Sequence, residues 1–245
     1  MTGGRTGVVL AAGFGSRLRE EDPGRLKPLT EVAGRPLMLR TLDTLAAAGC
    51  DRAVIVVGFQ GARVEAAIAS AYDGPLALSF VENPHYDLAN GVSVLAARPA
   101  VGDDPFVLTM ADHVFSEAFA RIAAATTPPD SGAALLVDRN IDAVFDLDDA
   151  TKVRTDGDRI VAIGKALDAY DAIDTGMFVA TAGLFDALEA VRRATGDASL
   201  SDGVARLCAE DRMRAVDVHG AFWQDVDTPQ MLAHAEARLA AGAGG

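Results

Sequence analysis

The chain of 245 residues carries 35 acidic against 22 basic side chains, a formal net charge of −13, with 50% hydrophobic and 23% charged residues. That composition is globular, not disordered, and its acidity excludes general binding to nucleic acid or anionic membrane, which draws on clustered Lys and Arg. No run approaches 18 apolar residues, so no membrane-spanning helix is expected; two cysteines, Cys50 and Cys208, are too few for a thiolate metal cluster and suit a reducing, cytoplasmic compartment.

Short apolar runs alternate with helix-length segments. Residues 8–11 read as a buried strand, followed by the loop Ala12-Gly13-Phe14-Gly15-Ser16-Arg17. Pro36 opens a helix through Leu37, Leu42 and Leu45, with Gly49 just past its end, the usual Pro-start and Gly-stop asymmetry. Residues 53–58 form a β-branched strand and 62–71 a helix; 76–81 and 106–110 are further strands on either side of a helix near 92–97. Continuous apolar strands joined by helices predict an α/β fold, a Rossmann-like, mostly parallel sheet with helices on both faces.

The second half changes character. Two strand-like runs flank Asp156-Gly157-Asp158, a β-hairpin signal. A strand over 173–180, two helices ending near Glu210, and a strand over 215–218 follow. After a strand-like Phe222-Trp223, a last helix runs from Thr228-Pro229 to about Ala240, with Thr228 as N-cap and Pro229 first in the helix. The expected organisation is one domain over 1–240, with a nucleotide-binding half to about 125, an acceptor-binding half beyond it, and a frayed tail at 241–245.

Three segments carry chemistry. In Leu10-Ala11-Ala12-Gly13-Phe14-Gly15-Ser16-Arg17-Leu18, small residues after a strand let the backbone cradle phosphate oxygens, and Arg17 with Lys27 would supply charge to a polyphosphate. The dinucleotide fingerprint fails at its third glycine, where Leu18 stands, and no Gly-Lys-Ser/Thr makes a P-loop. A plain turn with solvated Arg17 and Lys27 is the other reading. Asp112 follows the apolar strand 106–110, where parallel sheets place ligands. There it either holds a Mg²⁺ on substrate phosphates or caps a helix over 114–125. His113 reads as a packing or supporting residue. In Trp223-Gln224-Asp225-Val226-Asp227-Thr228-Pro229, the carboxylates either complete a metal site opposite Asp112 or belong to a helix cap.

Together these segments resemble the sugar-nucleotide pyrophosphorylase type of nucleotidyltransferase, over about residues 6–235. Glu82-Asn83, Asn90-Gly91-Val92-Ser93, Ala111-Asp112-His113, Asp149-Ala150-Thr151-Lys152-Val153, Ile163-Gly164-Lys165 and Asp174-Thr175-Gly176 are similar to the cytidylyltransferase domain that activates inositol-1-phosphate with CTP. That domain is often fused to a membrane-embedded phosphatidyltransferase, which this sequence does not resemble anywhere. Ala111 stands where the family has Gly.

The resemblance implies a nucleotide-diphospho-sugar transferase fold with a small β-hairpin insertion on the acceptor side. It further implies Mg²⁺-dependent transfer of CMP from CTP to inositol-1-phosphate or a related polyol phosphate. Arg17, Lys27 and Asp112 would be catalytic, and Leu10, Ala11, Ala12, Gly13, Gly15, Ser16, Arg17 and Lys27 would hold the nucleotide, with Asn90, Gly91 and Ser93 near the base or ribose. Lys152, Lys165, Asp174, Thr175 and Gly176 would face the acceptor; Asp112, Asp225 and Asp227 would hold the metal. The expected partners are CTP and a small phosphorylated alcohol, with no nucleic acid or membrane insertion and a homodimer left open. Alternatives are phosphocholine or a phosphonate as acceptor, a hexose-1-phosphate thymidylyl- or uridylyltransferase, and a catalytically silent nucleotide-binding subunit.

Overall fold

The computed structural model describes residues 4–14 and 26–243. Gly15, Ser16 and Arg17 lie outside the described residues. Strand β1 (Arg5–Ala11) pairs in parallel with β4 (Cys50–Val57) on one side and β6 (Phe106–Met110) on the other, and β5 (Ala77–Glu82) extends the parallel run beyond β4. Helices α1 (Leu37–Ala47), α2 (Gly61–Ala71) and α3 (Asn90–Val101) make the crossovers. A short antiparallel pair, β2 (Glu31–Val32) and β3 (Arg35–Pro36), precedes α1.

The apolar runs are continuous because both faces of the sheet are covered. Side chains alternate along β1: Val8 and Leu10 enter one core with Phe106 and Phe185, while Val9 and Ala11 enter the other with Leu42, Leu45 and Phe119. Phe106 and Phe185 stack with ring centroids 4.8 Å apart. The strand ends are thereby held rigidly, and the ligand-facing loops hang from them.

The second half adds β8 (Ala133–Asp138), the hairpin β9 (Lys152–Asp156) and β10 (Arg159–Gly164), then β11 (Ala172–Ala180), α5 (Ala182–Thr195), α6 (Leu200–Ala209) and β12 (Met213–Asp217). The nine-stranded order is β5-β4-β1-β6-β11-β8-β12-β10-β9. β11 runs antiparallel to both β6 and β8, so the sheet as a whole is mixed, with its parallel run in the first half. Gly157 takes a φ of 64° in the hairpin turn, the left-handed conformation that a tight Asp-Gly turn uses.

Two local expectations are corrected. Asp112 starts no helix: it precedes β7 (His113–Phe115), and α4 (Glu117–Ala125) is capped by Ser116, whose Oγ accepts from the Phe119 amide at 3.3 Å. Pro36 is the N-cap of α1, with Leu37 first in the helix. Helix α7 (Pro229–Arg238) is capped by Thr228, which accepts from the Met231 amide, and the turn Leu239–Ala243 that follows it is kinked at Gly242, whose φ is 88°. No helix among the described residues is long and apolar enough to cross a membrane. Cys50 and Cys208 are free thiols.

Candidate active site

The site lies at the carboxyl ends of the parallel strands, where helix-covered sheets leave a crevice. Its centre is made by a two-stranded ribbon: β13 (Trp223–Asp225) pairs antiparallel with β7, setting Asp225 opposite His113. The Val226 amide donates to the Asp112 carbonyl at 2.8 Å. Residues more than a hundred positions apart are brought into one carboxylate cluster. The cap reading for this segment is resolved in the same way, since Thr228 fills the cap position and leaves Asp225 and Asp227 to the cleft.

Lys27 opens a short 3-10 turn (Lys27–Leu29) anchored by buried Leu26 and Pro28. Its Nζ donates to Asp112 Oδ2 at 2.6 Å and also pairs with Asp227. Asp112 Oδ1 meets His113 Nδ1 at 2.5 Å. Burial opposes ionisation of Asp112, but Lys27 and His113 outweigh it and hold the carboxyl well below the usual range. Burial also pushes the His113 imidazole down, and the Asp112 carboxylate more than reverses this, with Asp225 adding to the rise. A Lys–Asp–His chain therefore fixes charge at the point where strand β6 ends.

Two cavities meet there. One, of 220 Å³, is lined by Leu10, Ala11, Ala12 and Gly13, by Lys27 and Asp112, and by Tyr86, Leu88, Asn90 and Ser93. The second, of 260 Å³, is lined by Asp138, Lys165, Asp174, Gly176, Trp223 and Asp225 among others, and shares Met110 and Asp112 with the first. Lys27 thus stands between a neutral, backbone-rich cleft and an acidic one.

Several assigned residues are not in either lining. Gly91 packs instead: a Cβ there would lie 2.6 Å from the Ala198 carbonyl oxygen, so it lets α3 approach the segment before α6. Thr175 is fully buried and donates to the Leu136 carbonyl at 2.7 Å. Lys152 is buried and donates to the Asp148 carbonyl at 3.1 Å, tying down the loop before β9. These three hold the walls in place. Lys165 is exposed at the second cavity and pairs with Asp149 at 2.5 Å. Asn90 Oδ1 accepts from the Leu200 amide at 2.8 Å and so joins the cleft to α6.

Asp174 lines the second cavity, and its Oδ1 accepts from the Gly176 amide at 2.8 Å. Burial pushes its carboxyl up to about 6, only partly offset by that amide and by His113. Gly176 has a φ of 79°, and a Cβ on it would run into the His113 ring. Gly176→Ala is therefore expected to cost about 1–3 kcal/mol in backbone strain and displaced imidazole. Thermal melting with acceptor KM checks this, and an unchanged Tm would refute it.

Sequence reasoning missed Asp138, Tyr86 and the loop residues Phe145 and Asp146. Asp138 ends strand β8 just as Asp112 follows β6, so the strand-end signal was available. It accepts from the indole Nε1 of Trp223 at 2.9 Å, which fixes the only tryptophan against the cavity wall. Phe145 stacks on His234 of α7 with centroids 4.3 Å apart, a contact that no local pattern encodes.

Among the described residues no three His, Cys, Asp or Glu side chains form a closed metal centre. Asp112 and Asp225 nevertheless face one cavity, and Asp112 is held ionised. That fits an ion such as Mg²⁺, which takes one or two carboxylates and completes its shell with phosphate oxygens and water.

A crevice at the carboxyl ends of a parallel sheet, with a fixed Lys–carboxylate centre between two cavities, defines a nucleotidyltransferase. Residues 7–215 match the MobA-like NTP transferase domain, and the chain belongs to that family. It is 40% identical, over 94% of its length and 52% of the relative's, to a "Bifunctional IPC transferase and DIPP synthase" of Rubrobacter xylanophilus. It is 35% identical, over 91% of its length and 37% of the relative's, to a "CMP-5'-(3-aminopropyl)phosphonate synthase" of Streptomyces rubellomurinus. Among solved structures it is similar to the inositol-1-phosphate CTP transferase from T. maritima, with 26% identity, a TM-score of 0.81, and coverage of 95% of this chain and 96% of that one. The chain spans about half the length of the first curated relatives it matches.

Proposed function

We propose that this domain is a cytidylyltransferase that joins CMP from CTP to inositol-1-phosphate. A phosphate oxygen of the acceptor attacks the α-phosphorus of CTP in line, the bond from that phosphorus to the bridging oxygen of the β-phosphate breaks, and pyrophosphate leaves. What carries this reading is the pair of cavities meeting at Asp112, one backbone-rich and one lined by carboxylates suited to polyol hydroxyls. The similarity to the Rubrobacter and T. maritima proteins supports the same substrates.

The acceptor phosphate is already ionised at neutral pH, so the chemistry needs alignment and charge neutralisation more than a general base. In this reading residues up to about 125 seat the nucleotide and the remainder seats the acceptor. Lys27 holds phosphate oxygens against Leu10–Gly13, and Arg17 joins it on the grounds of its sequence position. Asp112 and Asp225, with Asp227 beside them, would hold Mg²⁺, which when bound neutralises charge on the α-phosphate and the incoming oxygen. Lys165 meets the acceptor phosphate, and Asp174 and Asp138 accept from acceptor hydroxyls.

A second reading takes an aminoalkyl phosphonate as acceptor. The aspartates at 138, 146, 149 and 174 and the rings of Phe145 and Trp223 in one cavity favour a cation as well as a polyol, and the Streptomyces relative supports it. Pyrophosphate release with Mg²⁺, crossing five nucleoside triphosphates with inositol-1-phosphate, phosphocholine, 2-aminoethylphosphonate, glycerol-3-phosphate and glucose-1-phosphate, separates them. Turnover confined to CTP with inositol-1-phosphate is the expected result. Turnover with CTP and the aminophosphonate alone moves the assignment to the second reading, and no turnover with any pair overturns both.

A further inference from the structure

The proposed chemistry uses Lys27 and Asp112 of the nucleotide cleft and leaves Tyr86, another of its lining residues, without a role. Three aromatic side chains from three successive strand-end loops meet there: Phe14 after β1, Phe59 after β4 and Tyr86 after β5. Phe14 and Phe59 have ring centroids 5.2 Å apart, Phe14 and Tyr86 5.3 Å, and Phe59 and Tyr86 6.3 Å, the last two edge-on at 71° and 66°. Phe14 is 45% exposed, one of two large apolar side chains so exposed among the described residues. Tyr86 itself lines the cleft.

The corner is built to hold Tyr86 still. The Phe59 amide donates to the Ala12 carbonyl at 3.1 Å, which joins the loops that follow β1 and β4. Gly58 lies so close beneath that a Cβ on it would be 2.6 Å from Tyr86 Cβ and 2.9 Å from the Ala12 carbonyl oxygen. The cleft that Tyr86 lines also holds a hydroxyl with a proton to give. Asn83 is buried; its Oδ1 accepts from the His85 amide at 3.0 Å, so its Nδ2 is the donor to Ser93 Oγ at 2.9 Å. Ser93, 6% exposed, therefore keeps its own O–H for a partner in the cleft that it lines.

From these contacts we infer that Tyr86, buttressed by Phe14 and Phe59, is the platform on which the nucleobase stacks, with the Ser93 hydroxyl donating to an acceptor atom on the base edge. The inference rests on the proposed nucleotide reading and adds the residue that positions the base. A nucleoside triphosphate bound this way has its phosphates at Lys27 and its base at Tyr86, both of which line one cleft. Stacking on an aromatic ring is tolerant of base identity; the hydroxyl supplies the selective contact.

Equilibrium binding by calorimetry with Mg²⁺ tests this, with CTP and inorganic tripolyphosphate titrated into wild type, Tyr86→Ala, Tyr86→Phe and Ser93→Ala. Tyr86→Ala is expected to weaken CTP about ten- to a hundredfold and to change tripolyphosphate less than about threefold, with Tyr86→Phe recovering CTP affinity. Ser93→Ala is expected to narrow the preference for CTP over ATP. Equal weakening of CTP and tripolyphosphate by Tyr86→Ala overturns the inference, because it marks a displaced loop and not a lost base contact. Unchanged CTP affinity in that variant overturns it as well. Either result leaves the cytidylyl reading standing if wild type still turns over CTP, whereas failure of that reading shows in the wild-type turnover itself.

Discussion

Asp112→Asn is expected to lower kcat by two to four orders of magnitude while CTP binding stays within about tenfold of wild type. The asparagine is nearly isosteric but uncharged, so it removes the anion that Lys27 and His113 both face and with it the strongest donor for a divalent cation. Fixed charges aimed at a transferring phosphoryl group are worth about 3–5 kcal/mol in the transition state, which corresponds to that range of rate. Lys27 keeps Asp227 as a partner, so the ammonium is not left alone when Asp112 is neutralised. Single-turnover pyrophosphate release, measured beside CTP affinity and Tm, checks the prediction. A variant within threefold of wild type in kcat would remove Asp112 from the reaction.

The second large effect concerns stability. The Asp174 carboxyl is raised from 3.8 to about 6 by burial, so the folded state keeps its proton where the unfolded chain has already lost it. Between those two values the unfolded state binds fewer protons, and stability falls as pH rises. Below pH 3.8 the group costs nothing by this route; above pH 6 it costs about 3 kcal/mol, from roughly two units at 1.36 kcal/mol each. Asn at 174 cannot ionise and still offers an oxygen to the Gly176 amide. Asp174→Asn is therefore expected to melt roughly 5–10 °C above wild type at pH 8, with the difference shrinking toward pH 4. Its acceptor KM should rise, since a buried carboxylate kept at that cost is expected to serve a ligand. A Tm difference that does not vary with pH would refute the titration argument.

The two effects show how differently the site uses its carboxylates. Asp112 is held ionised by a lysine and an imidazole, and Asp174, on the neighbouring strand β11, is kept near its titration point by burial. Neither property belongs to the residue type. Both come from what the β7–β13 ribbon and strand β11 bring alongside.

What the sequence by itself determined was the layout. Buried strands on a sheet covered on both sides must be apolar throughout, so β1, β4 and β6 were legible as runs of Val, Ile and Leu. Turn and cap chemistry is equally local, which is why the Asp-Gly hairpin and the Thr228–Pro229 helix start could be read directly. Lys27, Asp112 and Asp225 were legible as candidates from the short motifs that hold them and from the resemblance those motifs carry. Tertiary structure alone decided their company. Whether Asp112 capped a helix or faced a cleft depended on a ribbon partner over a hundred residues away. Lys152, Thr175 and Gly91, which sit in the same motifs as cavity residues, turn into the walls because side chains alternate about a strand and rotate about a helix. The aromatic corner of Phe14, Phe59 and Tyr86 has no sequence signature, because its members come from three loops that only the parallel stacking of their strands makes neighbours.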